Sequence, residues 1–201
     1  MLAGCQTSHP RYPAEWWQAI PKESAASWEI LPQEAKPGEV ILSKRNELGL
    51  LSNFAATPFT LDGDRYASVE GFWQMMKYPE GPDDVRTKEK WPHSRAEVAQ
   101  MTAFEANKAG KKAEEIMKKM KIDWVTYKGQ KMTYRESGKG AFYALIYRAE
   151  QAKLEQNPEV KRVLAKTGSL RLRPDHFQSP DEPPAWRYFD IWMELRYNLR
   201  K

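Results

Sequence analysis

Between Pro58 and Pro79 the hydrophobic period of the chain switches once, and that switch constrains the fold more than any other feature. Pro58 to Leu61, then Asp62-Gly63, then Arg65 to Ala67 reads as a β-hairpin, because Asp-Gly tolerates the left-handed dihedrals of a two-residue type I′ turn. From Ser68 onward Val69, Phe72, Trp73 and Met76 recur at helical spacing, which predicts a short helix ending before Pro79. The class that follows is α+β, a mostly helical single domain with a small sheet built around the hairpin.

The other elements follow the same logic. Glu39 to Ser43 is a short β-prone run. Ser94 and Glu97 form a capping-box pattern heading an Ala-rich helix, expected to break near Gly110 before a lysine-rich segment reaching Met120. Lys108, Lys111, Lys112, Lys118, Lys119 and Lys121 on that stretch read as a solvated face or as a phosphate-facing patch. After Asp123-Trp124 comes a polar stretch, then a helix whose Phe142, Leu145, Ile146, Ala149 and Ala152 share a core face. Asn157-Pro158 opens another helix that stops at Gly168, Pro174 to Pro184 is a loop, and Ala185 to Leu199 closes the chain as an aromatic helix. Residues 1–39 carry five prolines together with Trp16, Trp17 and Trp28, and read as an arm laid across a domain spanning 40–201.

With 201 residues, 41% of them hydrophobic, there is material for one buried core. The longest apolar run, Ala141 to Tyr147, falls far short of the roughly 20 residues a bilayer crossing requires. Cys5 stands alone, so no intrachain disulfide forms, and three scattered histidines, His9, His93 and His176, leave no pattern for a zinc site. No metal and no cofactor is expected. Lys and Arg total 32 against 27 Asp and Glu, an excess that suits an anionic ligand such as a phosphate and equally an ordinary mixed surface. Leu2-Ala3-Gly4-Cys5 resembles a lipobox without the basic and apolar stretch that should precede it. The expectation is therefore a cytoplasmic protein or, with a signal peptide upstream, an envelope lipoprotein anchored at Cys5.

On the helix after the hairpin, Glu70, Gln74 and Lys77 fall at i, i+4 and i+7, so a carboxylate, an amide and an amine share one stripe beside Trp73. Spacing alone fits a solvated Glu/Lys face as well as a site. The surrounding segments narrow it. Leu51-Ser52-Asn53-Phe54, Pro58-Phe59 with Asp62-Gly63, and Ser68-Val69-Glu70-Gly71-Phe72-Trp73-Gln74-Met75-Met76-Lys77 resemble the NADAR family, whose YbiA-like members share an SNF, a D-G turn and an S-x-E-x-aromatic-aromatic-Q-x-x-K helix. Ala109-Gly110-Lys111-Lys112, Trp124, Ala152 to Asn157 and Met193-Glu194-Leu195-Arg196 follow the same order, so the resemblance spans about residues 40–200.

The resemblance implies a hydrolase, an N-glycosidase acting at the anomeric carbon of a ribose phosphate or of ADP-ribose. Its substrate would be a riboflavin-pathway intermediate or an ADP-ribosylated small molecule or nucleobase, a nucleic acid included. It assigns Lys77 to a Schiff base, Glu70 to carboxylate assistance, and Asn53, Phe54, Trp73 and Gln74 to the sugar and base pocket. Such a bond breaks through an oxocarbenium-like state that a carboxylate stabilises and an amine intercepts, leaving an imine for water to hydrolyse. The lysine must then be partly desolvated, with Trp73, Tyr78 and Trp124 as candidate walls. The chain departs from the family in lacking its late Trp-Gly-Asp/Ile-Gly element, and has Arg173-Pro174-Asp175-His176-Phe177 through Trp186 instead. Asp175 and His176 are the candidate replacements, and Arg45, after the first strand, is a candidate phosphate ligand. Two other readings stand beside this one: a catalytically silent module binding ADP-ribose or nucleotides, and an envelope interaction protein.

Overall fold

The computed structural model describes residues 11–199. The hairpin forms where expected: β2 (Phe59–Leu61) pairs antiparallel with β3 (Asp64–Tyr66), and Asp62 and Gly63 both take positive φ, 50° and 87°. The strand before it, β1 (Glu39–Ile41), does not join the hairpin. It pairs in parallel with β6 (Arg171–Arg173), so two distant parts of the chain meet beside the site. A second hairpin, β4 (Trp124–Tyr127) with β5 (Gln130–Thr133), occupies the stretch read as merely polar. Its turn, Lys128-Gly129, has φ of 49° and 76°. Lysine rarely occupies a left-handed position, so that turn carries no compositional signal.

Helix α1 (Val69–Met75) starts at Ser68, whose Oγ accepts from the Gly71 N–H at 2.9 Å and donates to the Met101 carbonyl at 2.9 Å. Every residue of α1 is buried. The carbonyls just past its C-terminus accept from two guanidinium groups. Arg86 donates to Met76 O at 2.9 Å and Lys77 O at 3.0 Å, and Arg95 donates to Tyr78 O at 2.9 Å. Arg86 is fully buried, paired with Asp84 at 2.6 Å and bonded to Thr126 Oγ1 at 2.5 Å.

The capping box at Ser94 and Glu97 opens only the short α2 (Arg95–Ala99). The next helix, α3 (Ala103–Lys119), runs unbroken through Gly110, where the sequence suggested a break. Gly110 is there for close approach instead: a Cβ on it would lie 1.9 Å from Gln74 Oε1. Gly71 does the same on α1, where a Cβ would lie 2.4 Å from the Met101 carbonyl. Gly71 thus lets α1 pack against the backbone at the end of α2, and Gly110 makes room on α3 for the Gln74 side chain.

Helices α4 (Ala141–Gln156), α5 (Pro158–Lys166) and α6 (Tyr188–Asn198) complete the domain, with one short 3₁₀ turn at Pro184–Trp186 ahead of α6. The predicted α4 face of Phe142, Leu145, Ile146, Ala149 and Ala152 is buried. One apolar cluster runs through the chain from Trp16 to Leu195. Residues 11–38 lie across the domain: Trp16 is buried and its indole N–H donates to Glu47 at 3.1 Å, while that of Trp17 donates to Glu39 O at 3.1 Å. Cys5 and His9, on which the lipoprotein and zinc arguments turned, lie outside the described residues. Among those described, no helix is long and apolar enough to cross a membrane, and no cluster of His, Cys, Asp or Glu suits a metal.

Candidate active site

A cavity of about 600 Å³ opens between α1, α3, the Ser52–Phe54 loop, the segment from His176 to Tyr188, and Trp28 of the arm. The stripe on α1 faces it. Glu70, Gln74 and Lys77 are 7%, 6% and 3% exposed, so a solvated Glu/Lys face is ruled out.

Glu70 accepts from Gln74 Nε2 at 2.9 Å and from Asn107 Nδ2 at 3.3 Å. Burial pushes its carboxyl above the usual range, and these two donors and the Lys77 charge only partly offset it. Lys77 sits one residue past Met76 with its N–H still bonded to Gln74 O at 3.2 Å, so it stays on the helical stripe. Its Nζ donates to Glu114 Oε1 at 2.6 Å and lies 5.6 Å from the Tyr134 ring. Burial pushes the ammonium down and the charge of Arg135 adds to that, while Glu114 and Glu70 pull the other way. The acid thus moves toward holding a proton and the amine toward losing one.

From α3, Asn107, Lys111 and Glu114 reach the cavity at i, i+4 and i+7, a second stripe facing the first. The sequence reading missed Asn107 and Glu114, although the same spacing argument that selected Glu70 and Lys77 applies to them. Asn53 and Phe54 border the cavity as expected. Their loop is held from below by Lys153, whose buried Nζ donates to Ser52 O at 2.7 Å. Trp73 borders it too, its ring edge-on to Phe142 at 4.9 Å and to Trp186 at 6.1 Å.

The segment from Arg173 to Trp186 also reaches the cavity, through His176, Phe177 and Trp186. Asp175 does not line it but lies buried behind it. One Asp175 oxygen takes Lys44 Nζ at 2.5 Å and the other lies 3.1 Å from His176 Nδ1. Burial pushes the Asp175 carboxyl up, but His176 and Lys44 outweigh it and hold it below its ordinary value. Asp175 therefore positions two residues that do face the cavity. Lys44 was not among the expected site residues, because nothing in the sequence pairs it with an aspartate 131 positions away.

Arg45 and Trp124 fall elsewhere. The Arg45 fork is committed to Glu29, at 2.6 and 2.7 Å, outside the cavity. Trp124 lies in β4 between Arg86 and Lys131, whose charged ends sit 4.8 and 4.2 Å from its ring. Tyr78, a third expected wall, instead donates to Ala109 O at 2.9 Å.

No family model and no curated protein matches the chain. Among solved structures it is similar to the Escherichia coli protein YbiA, determined by NMR, with 22% identity and a TM-score of 0.49 over 79% of this chain and 82% of that one. A likeness of this size carries no argument about chemistry, which rests on the residues of the cavity.

Proposed function

We propose that this cavity hydrolyses the C–N bond between a base or amine and a ribose phosphate or ADP-ribose, with Lys77 as the covalent residue and Glu70 as its acid–base partner. The observation that carries the reading is the burial of Glu70 and Lys77 in one cavity, with the carboxyl pushed up and the amine pushed down. The spaced motifs shared with the NADAR family support it from the sequence side.

In this reading a protonated Glu70 gives its proton to the departing base nitrogen as the C1–N bond breaks, and the developing oxocarbenium is met by the Lys77 lone pair. The proton that Lys77 loses on attack goes to Glu114, 2.6 Å away. Ring opening breaks C1–O4, O4 takes back the proton that Glu114 received, and C1 becomes an imine of Lys77. Water adds to that carbon and the amine leaves, returning Lys77 and releasing the sugar as its aldehyde. Aromatic walls keep the amine poorly solvated throughout.

The test is base release by purified protein from ADP-ribosylated guanosine and from ribosylaminopyrimidine phosphates, followed chromatographically. Release that disappears in Lys77→Arg supports the reading, since a guanidinium stays protonated and does not attack. Binding without release from either class contradicts it and favours a silent nucleotide-binding module.

A further inference from the structure

Trp28, Phe104 and Phe177 are 45%, 60% and 80% exposed, and all three rim the mouth of the one cavity that holds Glu70 and Lys77. Apolar rings left open to water and gathered at a single mouth mark a ligand surface. Trp28 meets Phe104 edge-on at 6.2 Å, and Phe104 meets Phe54 edge-on at 5.2 Å. The Lys44 ammonium lies 5.5 Å from the Trp28 ring and 5.1 Å from the Phe54 ring. It is fixed there by Asp175, which is 1% exposed. Lys111 and Glu182 border the same mouth.

Trp28 is not on a fraying end. Its neighbour Glu29 is gripped by both sides of the Arg45 fork, Arg45 also donates to Ser24 O at 2.8 Å, and the Ile30 N–H donates to Asp175 O at 2.8 Å. Glu29 further forms an isolated antiparallel bridge with His176. The arm is thus anchored on one side of Trp28 through Ser24 to Arg45, and on the other through Glu29 and Ile30 to the segment that forms the cavity wall.

We propose that the arm completes a second subsite, in which Trp28 and Phe104 stack the planar heterocycle of a nucleotide and Lys44 pairs with the phosphate attached to it. Open ring faces select a flat π-system, and an ammonium set between two rings selects an anion close to it. A nucleotide unit carries both groups within a few bonds. This deepens the glycosidase reading by assigning the part of the substrate remote from the bond broken at Glu70 and Lys77, and it stands or falls by binding alone.

The test is calorimetric titration of the full chain with AMP and with ribose 5-phosphate. AMP is expected to bind at least about 10-fold more tightly, as base stacking on aromatic side chains allows. That ratio is expected to fall close to one in Trp28→Ala, to survive in Trp28→Phe, and to fall in Arg45→Ala, which removes the anchors at Ser24 and Glu29 on either side of Trp28 without touching the ring. A ratio near one in the unaltered protein, or one that neither Trp28→Ala nor Arg45→Ala changes, overturns the subsite. The two proposals fail separately. Trp28-dependent AMP binding in a protein that releases no base leaves the subsite standing without the glycosidase, and base release with Trp28-independent AMP binding does the reverse.

Discussion

At the scale of single residues, the pairing of Glu70 with Lys77 makes a demand that neither side chain makes alone. A carboxyl that is 7% exposed, bonded to two amide donors and pushed above its usual range by burial is suited to proton traffic rather than to attraction to a surface cation. Glu70→Gln keeps the volume and removes the proton, so base release should fall by roughly 100-fold or more, the span that a positioned acid or base contributes. Its urea midpoint should not fall, because the substitution also removes a buried ionisable group. A midpoint that collapses together with activity would mean that Glu70 is structural. The spacing of Glu70, Gln74 and Lys77 was readable from the sequence because it lies within two turns of one helix. Lys44 was not, because only tertiary packing brings it to the cavity; Asn107 and Glu114 show the same spacing on α3, but only packing reveals that their stripe faces α1.

At the scale of elements, the site depends on how closely α1 approaches its neighbours and on what holds its end. Gly71→Ala would drive a methyl into the Met101 carbonyl, a backbone atom 2.4 Å away that cannot swing aside. The expected loss is about 1–3 kcal/mol of stability, typical of overpacking, measured by urea unfolding. A neutral Gly71→Ala would show that the contact between α1 and the turn after α2 is slack. Arg86 acts at the other end of α1, where its loss would leave Asp84 without its buried partner and the Met76 and Lys77 carbonyls without donors. Sequence reading recovered α1, the first hairpin and α4, whose patterns are local. It broke α3 at Gly110, because a glycine needed for close helix packing looks the same in a sequence as a glycine that ends a helix. It missed β6 for a similar reason, since a three-residue strand is specified by its partner β1 and not by its own composition.

At the scale of the whole molecule, the domain is built around buried charge as well as apolar packing. Glu150 is fully buried near Lys153, and neither of its carboxylate oxygens finds a hydrogen bond within the protein. Burial pushes Glu150 up to about 7 and Lys153 down to about 8. An unfolded glutamate loses its proton near 4.3. The native state therefore holds more protons than the unfolded state between about 4.3 and 7, and the contribution of Glu150 to stability falls as pH rises through that window. Lys153 acts in the opposite sense above about 8, where the unfolded side chain still holds its proton. Scanning calorimetry at pH 5 and pH 7 should show a larger fall in Tm for the unaltered protein than for Glu150→Gln; equal falls would remove Glu150 from the pH response. The central claim, that Lys77 forms a covalent imine with the substrate's sugar, is tested most directly by adding borohydride during turnover and locating the added mass by peptide mass spectrometry. The predicted result is a sugar fixed on the peptide holding Lys77 and absent in Lys77→Arg. An adduct mapped to Lys44 or Lys111 instead, or an active Lys77→Ala enzyme, would contradict it.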